Sequence, residues 1–406
     1  MCLVSLETSD FLPLMNSMTR STLLAALTPL VTQAGPTEPE ELLEEERTTF
    51  FSEVFSGFHR IDFDHDLLHS DDISVNRSSF LYRLEKDRWN LEATLGYTQF
   101  DINYSDPVGA TQSANRDEDN RSGGLTLGFD LSDSVSSSIG FTTYDGYADF
   151  QSVWISEYYD QFIGIPIPDN YEEADPKGWG LNAGIVWDYD PGVARLSASF
   201  GFSNDDIVPA WSPGLNPAWD PILNPGVPVI IADPTAQELD TYSGSLTWEM
   251  AVNPRLRTQL NLRYIDVTAR DPRLQVRNQW AWAITDELTF RAHLGFAIED
   301  PDFEAYYGGI ALNYDINSNW SVTLAGRLYH DTGEVVSAGF NTAAPEIDSS
   351  EISATLGWTN GDTSIRIGIG LYDTDYGDLD ADNQFFSDLY EDRDYTLGRF
   401  AITHQF

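Results

Sequence analysis

The chain has 406 residues, with 65 acids against 22 bases and a formal charge of −43. A balance that acidic excludes nucleic-acid binding, because no basic patch is present to neutralise phosphates. The hydrophobic fraction of 41% excludes a disordered chain, and a single cysteine, Cys2, excludes a disulfide framework or a cysteine metal site.

In chain order, the N-terminus is read first. From Met18 the sequence runs "MTRSTLLAALTPLVTQA", one arginine followed by an apolar stretch and the small residue Ala34. This is the pattern of an export signal over Met18–Ala34, and the residues before Met18 read as an over-called start. An acidic segment follows at 35–49, and the remainder, 50–406, alternates almost without interruption. Trp89, Leu91, Ala93, Leu95 and Tyr97 interleave with Asn90, Glu92, Thr94 and Gly96. Similar runs begin at Trp179, Tyr242, Leu288, Tyr306, Trp320, Ile352 and Ile365. Period-2 alternation predicts strands with one apolar and one polar face. No run approaches the roughly 20 apolar residues of a transmembrane helix, which leaves barrels untouched.

The connections fall into two alternating classes. Short ones carry turn residues: Glu85–Arg88, Ser132–Asp133, Asp190–Gly192, Asn253–Pro254, Asp286–Glu287, Asn317–Asn319 and Gly361–Asp362. Longer ones are expected near 66–72, 102–121, 148–177, 204–239, 268–272, 300–304, 332–349 and 374–393. Seven turns and eight loops predict about sixteen strands, with fourteen to eighteen the permitted range and both termini on the short-turn side. A soluble β-sandwich also alternates. It has no need of turns sorted by length, nor of Trp89, Trp187, Trp248, Trp280, Trp282, Trp320 and Trp358 on the oily face near strand ends. The fold class expected is all-β, a transmembrane antiparallel up-and-down β-barrel.

The chain ends "GRFAITHQF", with Phe400, Ile402 and Phe406 on one face. This is similar to the terminal strand of bacterial outer-membrane β-barrel proteins of porin type, although His404 stands where that family has an aromatic or aliphatic residue. The resemblance is one of architecture and names no subfamily. It implies placement in the outer membrane of a Gram-negative-type cell, with 35–49 in the periplasm. It also implies contact with lipid and lipopolysaccharide, and a barrel-assembly machinery that reads Phe400, Ile402 and Phe406. A homotrimer is the oligomer it suggests.

With the oily face in lipid, the polar face meets the lumen. In "RLRTQLNLRY", Leu256, Leu260 and Leu262 alternate with Arg257, Gln259, Asn261 and Arg263. The inward arginines expected are Arg255, Arg257, Arg263, Arg273, Arg277, Arg291, Arg327, Arg366 and Arg399, a basic wall over the C-terminal half. Inward acids are Glu92, Asp188, Glu249, Asp315 and Glu351. The porin resemblance makes the loop over 148–177 a candidate constriction, with Glu157, Asp160, Asp169, Glu172, Glu173 and Asp175 facing that wall. The alternative is a loop that stays outside while the arginines pair with inward acids.

Two acidic stretches invite a calcium reading. "DFDHDLLHSDD" holds Asp62, Asp64, His65, Asp66, His69, Asp71 and Asp72, and a second run holds Asp378, Asp380 and Asp382. Asn383 and Leu389 depart from an EF-hand loop, so a solvated acidic outer loop is the preferred reading and no metal is assigned. No nucleophile elbow or phosphate loop is present in the sequence. No catalytic residue, cofactor or enzyme activity is expected. The function expected is passive diffusion of small hydrophilic solutes. The alternatives are a structural or adhesive barrel with a plugged lumen, and a substrate-specific channel for sugars or apolar solutes.

Overall fold

The computed structural model describes residues 57–105, 113–147, 176–207, 212–215, 230–233, 237–268, 271–299, 303–333, 345–377 and 391–406. The expectations for 1–49, for the carboxylates of loop 148–177 and for Asp378, Asp380 and Asp382 lie outside these residues.

The strands are β1 (Phe58–His69), β2 (Ile73–Lys86), β3 (Trp89–Ser105), β4 (Ser113–Ser132), β5 (Val135–Gly146), β6 (Lys177–Asp190) and β7 (Ala194–Ile207). Two short strands follow, β8 (Ser212–Leu215) and β9 (Ile230–Asp233). Then come β10 (Gln237–Asn253), β11 (Leu256–Val267), β12 (Arg273–Ala283), β13 (Leu288–Glu299), β14 (Phe303–Asp315), β15 (Trp320–Asp331), β16 (Ile347–Asn360), β17 (Thr363–Tyr376) and β18 (Arg393–Gln405). Sixteen of them form one closed antiparallel barrel. β7 meets β10 directly, while β8 and β9 pair only with each other. β18 returns to β1 in a register running from Arg60↔Gln405 to His69↔Thr396. Beyond it, His59 and Phe406 exchange backbone hydrogen bonds of 3.1 and 3.0 Å. Both described chain ends therefore sit on the short-turn rim.

The tight turns are made by residues suited to them. Gly361 takes φ +58° and Asp87 takes φ +50°, the left-handed conformation that Gly, Asn and Asp tolerate best. The long-loop side differs from expectation at two places. β1 extends to His69, so the loop expected at 66–72 shrinks to Ser70–Asp72. β3 and β4 pair out to Ser105↔Ser113, shortening the loop expected at 102–121. The polar residues there mark water outside the apolar band rather than the end of pairing, because ladder hydrogen bonds form regardless of what the side chains prefer.

Cross-strand register sorts side chains onto two faces. The outer face carries an apolar band in which Leu328, Ile352 and Ile369 are 68%, 66% and 69% exposed. Aromatic rings rim it on both sides. Trp187, Tyr189, Trp282, Tyr314, Trp320 and Trp358 lie near the short turns, with Trp248 Nε1 donating to Tyr189 Oη at 2.7 Å. Near the long loops Trp179 meets Phe202 edge to face and Phe202 meets Tyr242 at a tilt, in line with Tyr264 and Tyr306. Tyr306 and Tyr314 lie eight residues apart on β14. That spans about 27 Å of strand, or roughly 20 Å along the normal once the strand tilts by about 40°. An exposed apolar band of this height between aromatic rims is a lipid-facing surface.

Placing a charge in the band tests that assignment. Ile369→Arg should lower unfolding free energy in lipid by about 2–4 kcal/mol, measured by urea titration in vesicles. An unchanged midpoint would show that Ile369 faces water.

Candidate functional site: the barrel lumen

The inner face is not uniform. Over β4–β7 and β10 small neutral residues dominate it, with Asp188, Arg195, Asp205 and Glu249 as charged exceptions. The Ser199 and Ser245 hydroxyls are 2.7 Å apart, and Asn261 Nδ2 of β11 donates to Thr247 Oγ1 at 2.7 Å. Over β11–β18 and β1–β2 it is charged. A cavity of about 830 Å³ occupies the half nearer the short turns and reaches Gly192 and Val193 in the β6–β7 turn. Its wall includes Arg195, Arg257, Arg291, Arg327, Arg366 and Arg399, with Asp64, Asp66, Asp188, Glu249 and Glu351. Six arginines against five carboxylates leave the lining close to neutral, unlike the chain as a whole.

Most of these charges are used within the wall. Arg195 Nε donates to Asp188 Oδ1 at 2.6 Å across the β6–β7 hairpin. Arg327 pairs with Glu351, which also lies 3.8 Å from Arg399, and Arg399 reaches Asp66 at 3.5 Å. The result is an Asp66–Arg399–Glu351–Arg327 chain tying β1, β18, β16 and β15. Outside the cavity lining, Arg83 pairs with Glu92 at 2.5 Å and Arg60 with Asp62 at 2.8 Å. Arg366 and Asp64 flank Ala401 on one rung of the ladder.

The other expected arginines separate by depth. Arg255 is in the β10–β11 turn, where it donates to the Ile284 carbonyl at 3.2 Å and reaches Asp286 at 3.4 Å. It is a rim residue outside the cavity, because Pro254 and Arg255 are the turn itself. Arg263, Arg273 and Arg277 are on the inner face nearer the long loops. Arg273 is almost wholly buried, donating from Nε to Glu299 at 2.8 Å with its guanidinium 4.1 Å from the centre of the Phe303 ring. Arg277 is also buried, and the Gln279 amide, turned with its oxygen toward it, accepts from Arg277 Nε at 2.8 Å. Gly295 is opposite Tyr307 in the register, and a side chain at 295 would run into that ring. His293 is on the same face, buried and lining the cavity. Asp315 lies exposed at the short-turn end of β14.

Toward the long loops the inner face becomes apolar. Leu68, Ile73, Phe100, Ile265, Phe303 and Leu397, from six strands, point inward and are each 3% exposed or less. The expectation that the polar face meets the lumen is therefore incomplete. Toward the long loops apolar side chains share the inner face with buried polar ones, among them Asp205, Arg273, Glu299, Asp331 and Thr374. The apolar ones form a belt withdrawn from water, the state the hydrophobic effect favours for them.

Sequence reading missed Arg195, Arg77, Arg83, Glu299 and the carboxylates of β1. Asp62, Asp64 and Asp66 alternate along β1 and face inward, while His65 and His69 face outward. The stretch read as a candidate metal cluster is thus split across two sides of the wall. The signal was available: "DFDHD" is itself period-2. Glu299 continues the inward series His293, Gly295 and Ala297. On β18, Phe400, Ile402 and Phe406 face outward, and the His404 ring packs near that of Phe406 with centroids 5.5 Å apart. Among the described residues one group, His330, Glu346 and Asp348, brings three potential metal ligands together on the outer rim.

The Arg273–Glu299 pair yields a stability test. Glu299→Gln should cost about 3–5 kcal/mol, because it strands a buried guanidinium, whereas Arg273→Met with Glu299→Leu should restore most of that loss. Urea unfolding of both variants is the measurement. Equal losses in the two would show that packing, not charge, is what the pair supplies.

The chain matches no protein-family model and no curated protein. Among solved structures it is similar to a bacterial polysaccharide outer membrane secretin, at 9% identity and a TM-score of 0.48, covering 86% of this chain and 99% of that one. It is also similar to OpdQ of Pseudomonas aeruginosa, at 8% identity and a TM-score of 0.44, covering 86% and 99%. A third is OprB of Pseudomonas putida at low pH, with 9% identity, a TM-score of 0.44, and 92% and 100% covered. By its closed sixteen-strand wall, apolar outer band and paired aromatic rims, the chain is a membrane-spanning β-barrel of the bacterial outer-membrane kind.

Proposed function

We propose that the chain is a porin-like channel for passive diffusion of small hydrophilic solutes across the outer membrane. The observation that carries this is the cavity of about 830 Å³ inside the barrel wall, lined by arginines, carboxylates and small polar residues. Charged walls of that kind set ion preference in a pore. Arginine suits the role because its fork stays charged and is weakly hydrated. Phe400, Ile402 and Phe406, outward on the strand that closes the barrel, support recognition of that strand by an assembly machinery. The exposed outer band supports lipid and lipopolysaccharide as its surroundings, and a homotrimer would be formed through part of it.

The inner apolar belt favours a second reading, a structural barrel closed toward its long loops. Planar-bilayer recording separates the two. The channel reading predicts stable conductance steps from purified barrel, and Ala311→Trp, which fills the cavity wall, should cut step size by about half. Absence of any step from folded protein would overturn the channel in favour of the closed barrel.

A further inference from the structure

One rung of the barrel wall differs from its neighbours. In register it runs Ala251, Arg257, Ala281, Arg291, Ala311, Ala325, Ser353, across β10 to β16. Every one of these residues lines the cavity. Two arginines on alternate strands stand in a row otherwise made of alanine and serine. Adjacent strands lie about 4.8 Å apart, so the Arg257 and Arg291 backbones are separated by roughly 10 Å with only the Ala281 methyl between them.

The other cavity arginines show what is unusual here. Arg195, Arg327 and Arg399 each have a carboxylate on a neighbouring strand. Arg257 and Arg291 are exposed to the cavity and have no ion pair or hydrogen bond among the described residues. Their rung explains why, since alanine offers no acceptor. Diagonal positions do not compensate. Glu249 stands diagonal to Arg257 but is directly opposite Arg195 and Gln259. Arg291 has Gln279, Ala283, Gly309 and Asn313 as its diagonals.

Two guanidiniums with no protein partner among the described residues, on alternate strands of one methyl-lined rung, offer a cradle for an oxyanion. Each presents a planar fork of N–H donors that matches a carboxylate or phosphate edge, and charge-assisted bonds of this type are about twice as strong as neutral ones. We infer that Arg257 and Arg291 form a saturable binding site for small oxyanionic solutes, carboxylate or phosphate, within the lumen. The site rests on the reading of the lumen as a solute pathway and names the solute class. The near-neutral lining is what makes it local: anion preference resides in this rung and not in the overall charge.

Isothermal titration of the full chain, folded in detergent, with inorganic phosphate tests the inference. A single saturable site is expected in the parent protein, displaced by acetate more effectively than by chloride at equal ionic strength. Arg257→Ser with Arg291→Ser should weaken phosphate binding at least tenfold. Arg257→Lys with Arg291→Lys, which keeps the charge and loses the fork, should fall between the two and guards against a folding defect in the serine variant. Arg255→Ser, at the rim, should leave binding unchanged. No phosphate binding by the parent, equal binding by the double serine variant, or the same loss in Arg255→Ser would each overturn the site. Calorimetry needs no transport. Binding without bilayer conductance would therefore sink the channel and keep the site, and conductance without binding would do the reverse.

Discussion

Backbone pairing that runs round the wall and returns from β18 to β1 is the constraint on which everything else rests. In hydrocarbon no water satisfies an open strand edge, and each unpaired N–H or C=O costs several kcal/mol. Closure removes the edges, and the Arg60↔Gln405 to His69↔Thr396 register is where it is accomplished. Once the sheet is closed, every residue must face either lipid or lumen, and a period-2 sequence is thereby given two environments. The leucines of β11 and the isoleucines of β17 take the outside, and the arginines take the inside.

The inside then poses its own problem, since charge must be either hydrated or paired. The barrel does both, at different depths. Near the short turns the wall holds a cavity, and Arg257 and Arg291 remain exposed in it. Deeper, Arg273 and Glu299 are dry, and their ion pair, one hydrogen bond and the Phe303 ring stand in for part of the lost solvation. Ile265 and Phe303, directly opposite them in the register, belong to the apolar belt. The serine and glycine wall of β4–β7 leaves room opposite the charged wall, so the lumen is chemically two-sided as well as graded along its axis.

Much of this was legible in the sequence. Alternation, turn chemistry and the sorting of connections by length gave sixteen strands and their order, because these are local properties that the ladder preserves. The inward arginines of β11–β18 were expected from parity alone. What was not legible depends on register between strands. Asp62, Asp64 and Asp66 looked like a solvated or metal-binding tract until pairing with β18 placed Asp66 opposite Arg399. The apolar belt was hidden because Phe100, Ile265 and Leu397 read as ordinary strand hydrophobes, and only the closed wall shows that they point inward. Arg255 shares the parity of Arg257 and Arg263 but lies in the turn ahead of β11, where parity no longer assigns a face.

The central claim is that one face of this wall meets water in the lumen and the other meets lipid. Single cysteines at Ala281, on the inner face of β12, and at Leu294, on the outer face of β13, test it most directly, with Cys2 replaced by serine. A membrane-impermeant, water-soluble thiol reagent applied to barrel in vesicles should modify Ala281→Cys and leave Leu294→Cys unmodified. Modification of Leu294→Cys with Ala281→Cys inert would contradict the assignment of the two faces.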